Sequence, residues 1–171
     1  MKGFIRLYTG KGQGKTSAAF GLALRALGAG KKVFFAQFVK GKIYSEIRAV
    51  EKYLSGIRVR QYGLDCFIVK KPSQADIDAA RAGLREVREI ITAGEHDLVV
   101  LDEICIAVFY KLFTVNEVLE ILKGKADGTE IVMTGRYAPQ EFIDAADLVT
   151  EMREIKHYYS DGVNAREGFE Y

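Results

Sequence analysis

Tryptophan is absent from this chain, and cysteine occurs only twice. Cys66 and Cys105 lie far apart with no paired-cysteine spacing, so neither a zinc site nor a disulfide framework is indicated and both read as packed thiols. Histidine is equally sparse. His96 and His157 stand alone and read as surface or hydrogen-bonded side chains rather than ligands. No apolar stretch approaches the length of a membrane span, and the start Met1-Lys-Gly-Phe-Ile-Arg6 has no long apolar run before its arginine. The expectation is a cytoplasmic protein without a membrane segment. A large charge of one sign is missing too. The net charge is +2 with both signs interspersed, so nothing calls for a nucleic-acid or membrane surface. There is no repeat, low-complexity tract or linker. What remains is a 171-residue, 49% apolar chain, a one-domain length with a sizeable core.

Strand-like runs at residues 4–8, 32–38, 57–62, 98–101, 130–134 and 148–151 alternate with helical patterns. Such alternation implies an α/β fold, a parallel sheet with helices on both faces. One helix is expected from Lys15 to about residue 29, closed by Gly28-Ala-Gly30. The clearest pattern runs over residues 74–92, where Ile77, Ala80, Leu84, Val87 and Ile91 repeat at helical spacing. Ser73 with Asp76, and Thr114 with Glu117, read as N-terminal capping pairs. In open parallel sheets the ligand sits beyond the C-terminal ends of the strands. That rule selects residues 9–16, 40–42, 63–71, 102–103 and 135–136 as one converging cleft.

The first of these carries the strongest chemistry. Gly10-Lys11-Gly12-Gln13-Gly14-Lys15-Thr16-Ser17 follows a strand and opens a helix, as a phosphate-binding loop does. Consecutive N–H groups of such a turn surround phosphate oxygens, Lys15 adds a mobile positive charge, and the Thr16 hydroxyl is placed for the Mg²⁺ that accompanies a nucleoside triphosphate. The usual pattern has its leading glycine five residues before the Gly-Lys pair, and Thr9 stands there instead. Gly10 leads a loop one residue shorter.

Asp97-Leu-Val-Val-Leu-Asp102-Glu103 is an apolar strand ending in two carboxylates, the expected partner of a phosphate loop. One can hold Mg²⁺ directly or through water, while its neighbour orients a water or a second ligand. Lys40 and Lys42, around Gly41, and Arg136 are cations available to phosphate, although a solvated turn would look the same. Tyr62, Phe67 and Tyr158-Tyr159 are near strand ends, where aromatic residues more often belong to a core. Residue chemistry alone thus reaches a Mg-nucleotide enzyme, and leaves a small-molecule kinase or an ATPase open.

Several stretches together resemble the corrinoid adenosyltransferase family of the P-loop type, the ATP:cob(I)alamin adenosyltransferases. They are Thr9-Gly-Lys-Gly-Gln-Gly-Lys-Thr16, Gln37-Phe-Val-Lys-Gly41, Val99-Val-Leu-Asp-Glu103, Thr134-Gly-Arg136, Ile155-Lys-His157, Asp161-Gly-Val-Asn-Ala165 and Gly168-Phe-Glu-Tyr171. The short loop is the most diagnostic, and the terminal segment the second. The resemblance implies a single-domain RecA-like, mostly parallel sheet, and transfer of the 5′-deoxyadenosyl group of ATP to the Co(I) of a reduced corrinoid with release of triphosphate. It also implies a homodimer, Mg²⁺ or Mn²⁺, and a reductase supplying Co(I). By matching motif, residues Gly10 to Ser17 with Lys40 and Gly41 would bind substrate, and Thr16, Asp102 and Glu103 would hold the metal. Lys15, Glu103 and Arg136 would act on the leaving group. Some members carry a Phe-x-Trp element after the third strand. That element helps shape the corrinoid site; here Asp65-Cys-Phe-Ile-Val69 occupies its place, and the resemblance implies Phe67, its aromatic residue, as a binding residue there.

Overall fold

The computed structural model describes residues 2–64 and 71–170. Within them the chain runs β1 Ile5–Thr9, α1 Lys15–Gly28, β2 Val33–Phe38, α2 Ser45–Tyr53, β3 Ile57–Tyr62, α3 Gln74–Ala93, β4 Leu98–Asp102, α4 Ile104–Phe109, α5 Val115–Lys123, β5 Glu130–Thr134, α6 Gln140–Ala145 and β6 Leu148–Glu151. A short 3-10 turn, Tyr158–Asp161, follows. The strands form a six-stranded sheet in the order β3-β2-β4-β5-β1-β6, and every pairing is parallel. The expected strands are all present, displaced by at most one residue at an end.

Side chains alternate across the pleat, so the two faces of β2 build different cores. Phe34, Ala36 and Phe38 point into a cluster that includes Val99, Leu101, Ile131 and Met133 with residues of α3 to α6. Val33 and Phe35 point the other way, to Val100, Val132 and the α1 residues Ala19 and Ala23. Phe34, Phe35 and Phe38 have no exposed surface, and burying each contributes about 2–3 kcal/mol. Small residues on the inner face of α1 let it lie close to the sheet, while Phe20 stacks on Phe35 at 3.9 Å.

The helix α3 forms as its spacing predicts, burying Ala80, Leu84, Val87 and Ile91, with Ile77 partly buried. Both capping boxes are present, Ser73 with Asp76 and Thr114 with Glu117. Helices α2, α4 and α6 are short, at nine, six and six residues, and the sequence does not mark them separately. No helix among the described residues is long and apolar enough to cross a membrane.

Candidate functional site

Beyond the C-terminal ends of β1, β2, β4 and β5 lies a cleft of about 720 Å³. Its floor is the phosphate loop, and local backbone chemistry explains the loop's glycines. Gly10, at φ 96°, lies so close to the chain beyond β6 that a Cβ would fall 2.4 Å from the Met152 carbonyl oxygen. The Gly12 N–H donates to that same carbonyl at 2.7 Å, tying the loop to the segment after β6. Gly14, at φ 107°, is the left-handed N-cap of α1.

Unlike α3 and α5, α1 has no side-chain cap and no acidic residue in its first turn. Its first N–H groups and the positive end of its dipole therefore face the cleft, an arrangement suited to an anion. Lys15 is buried, and its ammonium folds back on the Gly12 carbonyl at 2.6 Å. Burial, with Arg136 adding to it, holds that ammonium below the ordinary lysine range against the opposing pull of Glu103 and Asp102.

The two carboxylates at the end of β4 differ sharply. Asp102 is fully buried and saturated. Its Oδ1 accepts from the hydroxyls of Thr16 at 2.9 Å and Thr134 at 2.7 Å, and its Oδ2 from Gln37 Nε2 at 3.2 Å and Lys40 Nζ at 2.9 Å. The strand β5, interposed between β4 and β1, supplies Thr134 for this purpose. Gln37 is fixed in turn by Gln61, whose amide nitrogen donates to Gln37 Oε1 and to the Lys42 carbonyl.

Glu103 is the opposite case. Its backbone turns into the left-handed region at φ 58°, its N–H donates to Thr134 Oγ1, and its Oε2 is buried without a hydrogen-bond partner. Burial, and then the Asp102 charge, push its carboxyl above the ordinary range. A buried carboxylate oxygen with no donor fits a cation that arrives with a ligand. No cluster of three or more His, Cys, Asp or Glu residues suited to a metal occurs among the described residues, so the remaining donors would be Thr16, phosphate oxygens and water.

Most of the sequence-predicted residues converge. Lys11, Gly12, Gln13, Gly14, Lys15, Thr16, Ser17, Lys40, Glu103 and Arg136 all line the cleft. Gly10 and Gly41 support it from behind: Gly41 packs against the Gly63–Leu64 backbone, as Gly10 does against Met152. Asp102 sits beneath the floor and reaches the cleft only through Thr16 and Lys40. Tyr62 belongs to the core, packed against Phe38 and donating to Glu86 at 2.8 Å. Phe67 and Cys66 lie outside the described residues.

A second wall was not anticipated. Phe20, Tyr44, Glu46 and Ala49 contribute from α1 and the α2 region, and Glu154, His157, Phe169 and Glu170 from the tail. An exposed Arg48–Glu167 ion pair at 3.0 Å joins the tail to α2, and within the tail Tyr158 donates to Glu170. Its irregular sequence carries no periodicity from which a wall could be inferred. Only the resemblance of its terminal segments pointed there.

With this geometry in hand, comparison with known proteins is specific. The family model for ATP:corrinoid adenosyltransferases BtuR/CobO/CobP matches residues 1–171. A corrinoid adenosyltransferase of Sinorhizobium sp is 37% identical over 99% of this chain and 81% of its own length. The corrinoid adenosyltransferase of Escherichia coli K12 is 33% identical, and corrinoid adenosyltransferase CobA of Salmonella typhimurium 34%, each over 99% of this chain and 86% of the relative. Among solved structures, the flagellar accessory protein FlaH of Methanocaldococcus jannaschii superposes with a TM-score of 0.62 at 15% identity, covering 88% of this chain and 71% of that one. That likeness concerns the fold alone. A match along the whole chain, joined to a short phosphate loop set against Asp102 and Glu103, places this protein in the ATP:corrinoid adenosyltransferase family.

Proposed function

We propose that residues 1–171 act as one nucleotide-binding domain that transfers the 5′-deoxyadenosyl group of ATP to the Co(I) of a reduced corrinoid. The observation that carries this reading is the short loop at an uncapped helix N-terminus, opposite the unpartnered oxygen of Glu103. Co(I) supplies its own electron pair. That pair forms the bond to C5′, the C5′–O bond breaks, its electrons leave on the triphosphate, and cobalt ends formally as Co(III). No side chain has to be deprotonated to make a nucleophile. Cys105 supports this, since its thiol is fully buried and pushed up to about 12.

The chain's own work is then alignment and stabilisation of the leaving group. The first N–H groups of α1 and the Lys15 ammonium hold the triphosphate, and Arg136 adds positive charge in the same cleft. Glu103 and the Thr16 hydroxyl are placed to hold Mg²⁺ or Mn²⁺, with Asp102 fixing Thr16 from beneath. Such an ion would neutralise charge on the departing oxygens. Gly10 and Gly41 keep the supporting backbones close. Phe67 is assigned to the corrinoid, on the resemblance.

The homodimer and a reductase supplying Co(I) rest on the resemblance also. A cytoplasmic setting is part of the same proposal. Incubating the protein anaerobically with MgATP and chemically reduced cobalamin should replace the Co(I) absorption with that of an alkylcobalamin. Folded protein that leaves verified Co(I) unalkylated would sink the proposal.

A further inference from the structure

Lys40 does more than border the cleft. Its ammonium lies 2.9 Å from Asp102 Oδ2 and 3.1 Å from Thr16 Oγ1, and only 14% of its side chain is exposed. The Thr16 hydroxyl spends its proton on Asp102, so it offers Lys40 a lone pair. That same oxygen is the one a divalent ion would approach. The carboxylates facing Lys40 are Asp102, Glu103 and Glu46, from β4, its end and α2. A positive charge is thus already seated between the Thr16 oxygen and the acidic pair, at the position where the incoming cation is to be recognised.

We propose that Lys40 is a resident counter-ion that stands in for the divalent cation in the nucleotide-free protein and makes cation binding conditional on the triphosphate. Resting on the adenosyltransferase reading for its ligand, it adds a positioning role for this side chain. Without nucleotide, Mg²⁺ or Mn²⁺ meets an ammonium beside the oxygen it would coordinate. Repulsion at that separation opposes the attraction of Glu103, Asp102 and Glu46, so the ion is held weakly. A triphosphate entering over Lys15 brings negative charge that attracts the ammonium away from Thr16 and brings its own metal. The chain then releases Thr16 and engages Lys40 in one movement. Lys15, parked on the Gly12 carbonyl, makes the same exchange from the other side.

The test uses Mn²⁺ alone, read by the loss of its free-ion paramagnetic resonance signal, on full-length protein without nucleotide. Wild type is expected to bind Mn²⁺ weakly. Lys40→Met and Lys40→Gln are both expected to bind it about tenfold more tightly or better. The Gln variant is a polar replacement beside the apolar Met, so a folding defect peculiar to either one is recognised. Adding Glu103→Gln to Lys40→Met should return affinity to the wild-type level, and Lys40→Arg should preserve the weakness.

A purely structural lysine would lower thermal stability on substitution without raising metal affinity. Tight Mn²⁺ binding by nucleotide-free wild type overturns the proposal, and so does folded Lys40→Met or Lys40→Gln that binds no better than wild type. Because no corrinoid is present, failure of the adenosyl-transfer reading would show separately, as unalkylated Co(I) beside an intact Mn²⁺ response.

Discussion

The two edges of the sheet use carboxylates in opposite ways. At the N-terminal edge, Glu130, Asp147 and Asp97 each accept from a backbone N–H at or beside the start of a neighbouring strand, Phe4 at 3.1 Å, Ile5 at 2.8 Å and Lys32 at 2.9 Å. Every one of these acids completes a hydrogen bond that the sheet would otherwise lack. At the C-terminal edge the backbone is strained instead. Val39, Glu103 and Tyr137, none of them glycine, adopt left-handed conformations just beyond β2, β4 and β5. There a lysine is buried, a helix start is uncapped and a carboxylate oxygen has no donor. The first edge is closed mostly by folding, with His96 Nδ1, just before β4, left buried without a hydrogen-bond partner. The second is left for a ligand to finish, at a cost in stability that the core must offset.

Substitutions at the two edges should therefore separate activity from stability. The largest expected effect is at Lys15. Lys15→Ala should lower kcat/KM for adenosyl transfer by about 10²–10³-fold while the melting temperature holds or rises. Equal losses of folding and activity would mean that the two edges are not distinct.

Next is Glu103→Gln, which should remove most of the stabilisation that MgATP confers in a thermal melt. The nucleotide-free protein should gain about 1 kcal/mol, because the desolvation that outweighs the attraction of Lys40, Lys15 and Arg136 no longer acts on a charge. The sign depends on pH. Folding raises the Glu103 pKa, so its penalty is absent below the unfolded carboxyl value and grows as pH rises through the folded one. The advantage of Gln over Glu should accordingly be small near pH 4 and fuller near pH 8, as measured by denaturant midpoints.

A smaller effect belongs to the opposite edge. Asp97→Asn should cost about 0.5 kcal/mol at neutral pH, because exposure screens the bonds to Lys32 N–H and Lys31, and should leave kcat/KM unchanged. Those bonds hold its carboxyl below the ordinary range. Its contribution is present above the unfolded value and lost as pH falls through the folded one, so wild type and variant should converge in acid. The least change is expected at Cys105. In a Cys66→Ser background it should resist thiol reagents at pH 8 until the protein unfolds, since its thiol is buried and hardly ionised there.

Much of this was legible in the sequence because strands, capping pairs and the phosphate loop are local signals. Ser73 and Asp76 are three residues apart, and short runs rich in β-branched and aromatic residues mark the strands. The contrast between Asp102 and Glu103 is not local. Both are carboxylates at one strand end, and only the arrival of Thr16, Gln37, Lys40 and Thr134 from three other strands or their following turns saturates the first and leaves the second bare. The tail's place against the cleft is likewise a long-range feature, marked by the exposed ion pair of Arg48 with Glu167. Gly10 illustrates the middle ground. Its presence marks the loop, yet the Met152 carbonyl that requires it belongs to a segment far along the chain.

The central claim is that the C-terminal edge holds an intact triphosphate as it leaves carbon. Phosphorus NMR of the products formed from MgATP and Co(I) corrinoid under anaerobic turnover tests it most directly. Inorganic triphosphate appearing in step with the alkylated corrinoid is the predicted result. ADP with phosphate, or with a phosphorylated acceptor, would place the attack at phosphorus and contradict it.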